Sequence, residues 1–127
     1  MAEQPDPQLV EIAHQVFDFA RHGDAVRLAA YVDNGVPVEL TDAAGNTLLM
    51  LAAYHGQAAG VRVLVERGAD VDALNDRGQS PLAGAVFKGE DDVVAVLLEA
   101  GADPDAGRPT ARATAGMFGR TDLIELT

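Results

Sequence analysis

The sequence predicts an all-α fold: a short solenoid of four helix–turn–helix units joined by hairpin-like connectors. Three observations predict it. The stretch Gly45-Asn46-Thr47-Leu48-Leu49 recurs 33 residues later as Gly78-Gln79-Ser80-Pro81-Leu82, and Gly68-Ala69-Asp70 returns as Gly101-Ala102-Asp103. Glycines keep the same interval, at Gly23, Gly56 and Gly89 and again at Gly35, Gly68 and Gly101. Between them, apolar residues recur at helical spacing. A fixed period of this length marks stacked supersecondary units, each too small to bury its apolar face alone.

Each element follows from local chemistry. In the first unit, Asp6 can cap a helix start and Pro7 sits just inside, so a helix is expected over Gln8–His22, ending at Gly23. A second helix is expected over Asp24–Asp33, stopped by the turn signal Asn34-Gly35. In the second unit Thr47 caps a helix over Leu48–His55, and Gly56 supplies the left-handed exit. Val61, Leu64 and Val65 then mark the buried face of a partner helix that ends at Gly68. The third unit repeats this plan: Ser80 caps, Pro81–Lys88 is helical, and Gly89 ends it. Val93, Val94, Leu97 and Leu98 face the core before Gly101. The connectors Ala69–Gly78 and Ala102–Pro109 are rich in Asp, Asn, Gly and Pro, as turns require. In the fourth unit, Thr110–Leu126 matches Ser80–Val96 at an offset of 30, so the connector before it has lost three residues. Gly119 then corresponds to Gly89, and Leu123-Ile124 to Val93-Val94. Arg112 stands where Leu49 and Leu82 stand, which suits a terminal unit whose outer face has no neighbour. The expectation is one domain with units at about 8–41, 42–74, 75–107 and 108–127.

Composition narrows the function. Nine Lys and Arg against 20 Asp and Glu give a net charge of −11. Nucleic-acid affinity comes largely from cations on phosphates, so nucleic-acid binding and docking on anionic lipid are not expected. Acidity favours encounter with basic partners. The chain has no cysteine, which removes disulfides, thiolate nucleophiles and Cys-ligated metals. Met1–Asp6 carries no basic, apolar leader, and no apolar run is long enough to span a bilayer, so a cytoplasmic protein is expected. Eight arginines against one lysine, with abundant Ala, Val and Gly, suggest a GC-rich bacterial source.

Sites of chemistry are weakly represented. His14, His22 and His55 have no ligand spacing, and no cofactor or metal is expected. Asp70 and Asp103 follow helix exits, where Asp bonds turn backbone. Asp91 and Asp92 suit the positive start of a helix. Ser80, the one serine, reads as a cap, and no nucleophile-elbow or phosphate-loop pattern occurs. No catalytic residue is expected.

The period of 33, Gly-Gln-Ser-Pro-Leu near a unit's start and Gly-Ala-Asp-Val-Asp-Ala (Gly68–Ala73) near its end resemble the ankyrin repeat. The family pattern Thr-Pro-Leu-His stands here as Thr47-Leu48-Leu49-Met50 and Ser80-Pro81-Leu82-Ala83, without the His. The resemblance implies a concave face, made by inner helices and hairpin tips, that grips partner proteins. Two ladders fall on it: Arg21, Tyr54, Phe87 and Met117, and beside them His22, His55, Lys88 and Phe118. Tip residues Ala43, Ala44, Asn46, Asp76, Arg77 and Gln79 extend it. Tyr, Phe, Met and Arg are enriched at protein–protein interfaces. The expected function is therefore a non-catalytic module binding an unidentified protein, with net charge favouring a basic one. Two alternatives are an acidic inhibitor or immunity-type regulator occluding a basic enzyme, and a homo-oligomerising scaffold in which the Met117–Phe118 end pairs two chains; outside that alternative a monomer is expected.

Overall fold

The computed structural model describes residues 6–124. Among them lie seven α-helices and no strand; a lone antiparallel bridge joins Thr41 and Thr47. The helices are α1 (Pro7–His22), α2 (Ala25–Asp33), α3 (Leu48–Tyr54), α4 (Ala58–Glu66), α5 (Pro81–Lys88), α6 (Asp91–Glu99) and α7 (Ala111–Met117). A single 3₁₀ turn, Thr121–Leu123, follows. No helix of the described residues is long and apolar enough to cross a membrane.

Caps set the starts of the inner helices. Asp6 accepts a hydrogen bond from the Gln8 N–H at 2.9 Å. Thr47, Ser80 and Thr110 each accept one from the amide three residues on, at 3.0, 3.0 and 2.9 Å. Asp24 caps α2, so that helix begins one residue later than its sequence suggests. Gly23 and Gly89 end α1 and α5 in the left-handed conformation, where a side chain would be strained. His55 caps α3 instead of lying inside it.

The helices form two layers. α1, α3, α5 and α7 pack in succession as the inner layer, and α2, α4 and α6 as the outer one. Helices of seven or eight residues are marginal alone, so packing must hold them. It does: Leu48–Ala53 of α3 and Pro81–Val86 of α5 are buried throughout. Small residues permit the approach. A side chain on Gly84 of α5 would meet Met50 Cε at 3.0 Å and the Tyr54 ring at 3.4 Å.

Bonds one unit apart tie the stack. Gln57 Nε2 donates to the Arg21 carbonyl at 2.9 Å. Arg67 clasps Asp33 through two bonds, at 2.8 and 3.0 Å, and this raises the guanidinium pKa and lowers that of the carboxyl. Arg120 reaches Asp91 at 2.9 Å. Glu39 accepts from the Asp70 amide, and Asp72 from the Asp103 amide, both at 2.8 Å. Asp70 and Asp103 also accept from Asp72 and Asp105 amides, the local turn bonding expected of them.

The last pair departs from the repeat. Where α4 and α6 have counterparts, the chain makes only the turn Thr121–Leu123, with Ile124 buried beneath it. The continuation expected to Leu126 lies outside the described residues. The shortened connector is held by Arg108 N–H donating to the Gly78 carbonyl at 2.9 Å.

Candidate functional site

The ends of the inner helices and the tips of the connectors line one concavity. A cavity of about 360 Å³ is bounded by Arg21 of α1, Met50, Leu51 and Tyr54 of α3, His55, and tip residues including Ala44, Asn46, Arg77 and Gln79. A second, of about 210 Å³, continues it along Tyr54, Arg77, Gln79, Gly84, Phe87 and Thr114. Tyr54, Arg77 and Gln79 are common to both, so the two form one groove across successive inner helices.

The tips are hydrogen-bonded within each turn and to one another. Asp42 accepts from the amides of Ala44 and Asn46 and from the Asn46 side chain. Asn75, its equivalent one unit on, accepts from the amides of Arg77 and Gln79 and donates to both Asn46 Oδ1 and Gln79 Oε1 at 2.8 Å. The Asp76 amide donates to the Ala44 carbonyl at 3.0 Å, joining neighbouring tips.

The two ladders interlock. Lys88 Nζ sits 5.1 Å from the centre of the Tyr54 ring, one unit back. Phe87 meets Phe118 edge to face at 5.7 Å, one unit forward. Tyr54 and His55 meet likewise at 5.7 Å. Such contacts hold side chains in place at a cost in exposure: Phe87 is 57%, Phe118 51% and Met117 74% exposed. Tyr54 and Arg21 are half-buried, while His22, His55, Arg77 and Lys88 are exposed.

His55 stands among like charges. Partial burial, then Arg21, Lys88 and His22, hold its pKa below the usual imidazole value. Each cause disfavours the charged ring.

The structure thus brings Arg21, Tyr54, His55, Arg77 and Phe87 to the groove walls. Lys88 joins through Tyr54, and Phe118 through Phe87. Met117 is exposed beside Phe118, Asp76 and Ala43 are exposed on the tips, and His22 is exposed at the end of α1; these four, like Lys88 and Phe118, line neither cavity. Sequence reasoning missed the floor, Met50 and Leu51, and the bracing Asn75. The 33-residue period links Asn75 to Asp42, a turn-forming pair that could have pointed to it. On the outer layer, Val94, Leu98 and Leu123 line a separate open depression edged by Asp91, Glu99 and Asp122.

The Ser80 hydroxyl is buried and used as a cap. Among the described residues, no group of three or more His, Asp or Glu side chains is placed to hold a metal ion.

Comparison with known proteins gives a consistent assignment. The family model described as ankyrin repeats (3 copies) matches residues 15–108. A curated ankyrin repeat protein of Pseudomonas aeruginosa is 43% identical over 58 residues, which is 42% of this chain and 34% of the relative. The match therefore spans about a third of that relative's length.

Proposed function

The chain belongs to the ankyrin repeat family, and on that footing we propose that it is a non-catalytic module binding a partner protein through its concave groove. Ankyrin repeats generally serve as protein–protein interaction modules, and the family is typically non-catalytic. The observation that carries the reading is the interlocked, exposed ladder of Tyr54, Lys88, Phe87 and Phe118 along the groove. Soluble proteins rarely leave aromatic side chains in contiguous exposed patches without use. Pre-ordered side chains also lose less freedom on binding. The proposal takes the chain as one domain of four units, at about 8–41, 42–74, 75–107 and 108–127. It places the protein in the cytoplasm, which the lack of cysteine supports.

The test is capture from native lysate by the immobilised chain and by a Tyr54→Ala, Phe87→Ala variant, with retained proteins identified by mass spectrometry. Interface anchors cost about 2 kcal/mol or more each when truncated. The affinity for the specific partner should fall roughly thousandfold, with the melting curve still cooperative. Undiminished capture would remove the groove as the docking surface.

A further inference from the structure

We propose that the partner segment held in the groove is acidic: an extended stretch whose carboxylates meet Arg21, Arg77 and Lys88 while an apolar side chain seats against Phe87 and Phe118. This rests on the reading of the groove as the docking surface, and it reverses the polarity that net charge suggests.

The chain has 20 acids and 9 cations, so a random patch should be negative. The groove is not. Cations elsewhere are mostly spent on carboxylates: Arg27 on Asp24, Arg67 on Asp33, Arg112 on Asp105 and Arg120 on Asp91 and Asp122. Arg77 and Lys88, like Arg62 and Arg108, make no ion pair among the described residues; Arg77 lines both cavities, and Lys88 lies over the ring of Tyr54, which lines them too. Arg21 meets Asp18 through one nitrogen, at 3.0 Å.

Among the described residues, Asp42 is the one carboxylate lining the two cavities, against Arg21 and Arg77. Its charge remains, with its oxygens accepting three hydrogen bonds from its own turn. Asp76 projects from the rim and lines neither cavity. At the centre, Arg21 and Lys88 both act against the charged form of His55. A concave site in which one sign of charge predominates favours ligands of the other. The remaining surface, strongly negative, would repel an acidic segment everywhere except here, which orients its approach. At the far end the charge gives way to Phe87, Phe118 and Met117, which calls for an apolar anchor there.

The experiment pans a random library of short synthetic peptides on the immobilised full chain at physiological ionic strength, then measures retained peptides by fluorescence polarisation. The expected pool is enriched in Asp and Glu with Leu or Phe. Its members should bind roughly tenfold or more weakly to an Arg77→Glu, Lys88→Glu variant and unchanged to Arg62→Glu on the outer layer. Should the double reversal unfold, the Arg77→Gln, Lys88→Gln pair reads the same loss at smaller size. A pool rich in Lys and Arg that still depends on Tyr54 and Phe87 would overturn the acidic segment while leaving the docking surface standing. Retention indifferent to Tyr54→Ala, Phe87→Ala would overturn the docking surface itself. An empty pool overturns the acidic segment, and so does a dimer in light scattering that Phe118→Ala dissociates, because the occupant is then a second copy.

Discussion

Leu82→Ala should lower the melting temperature by roughly 10–20 °C, because truncating a fully buried leucine costs about 3–5 kcal/mol and each kcal/mol moves a domain of this size by about 4 °C. Leu82 has no exposed surface and sits in α5, which packs on α3 before it and α7 after it. Collapse around the deletion is limited, because its neighbours are short helices pinned by capped starts and glycine ends. The cavity therefore persists, and its cost adds to the lost transfer energy. Val26→Ala is the matched control. Val26 is 81% exposed on α2, and its truncation should leave the melting temperature within a degree or two. Equal effects at the two sites, read by thermal denaturation, would contradict the layered core described above.

Deleting residues 107–127 should destabilise the rest of the chain by a comparable amount, roughly 10 °C or more. In a solenoid each unit is buried only by its neighbours, so stability is close to a sum of unit and interface contributions. Removal of α7 uncovers one side of α5, whose residues Pro81–Val86 are now buried throughout. Removal of Ile124 uncovers apolar surface beside α6. The Arg120–Asp91 pair and the bond from Arg108 to Gly78 disappear with it. Both lie at the surface or on a connector and contribute less than the apolar face. A shortened chain that melts at the temperature of the intact one would show that the fourth unit is an appendage and not a cap.

What could be read from the sequence follows the range of the forces involved. Starts and ends of the inner helices depend on residues within three positions, so Asp6 with Pro7, Thr47, and Ser80 with Pro81 declared themselves. The long first helix and the shortened third connector were legible from the two offsets, 33 and then 30. The final pair was not. Leu123-Ile124 has the apolar pattern of Val93-Val94, yet the chain there makes only a 3₁₀ turn before the end of the described residues. The ties between units were also hidden. Arg67 with Asp33, Gln57 with Arg21 and Asp103 with Asp72 link residues about one period apart, and no local pattern names such partners.

The candidate site was legible in its ladders, since stacking projects the same register of every unit onto one face. Its charge was not. A sum over the whole chain points to a basic partner, while the arrangement of Arg21, Arg77 and Lys88 around His55 points to an acidic one. The sum averages over surfaces that a ligand meets separately. The pairing of Arg27, Arg67, Arg112 and Arg120 with aspartates, together with the place of Arg77 in both cavities, separates the groove cations from most of the rest.

The claim that the inner face docks a partner is tested most directly by site-specific photocrosslinking in the native cell. A photoreactive residue at position 87, on the groove, is compared with one at position 62, on α4 of the outer layer. Adducts to a partner protein from position 87 and none from position 62 are the predicted result. Adducts from position 62 with none from position 87 would contradict it.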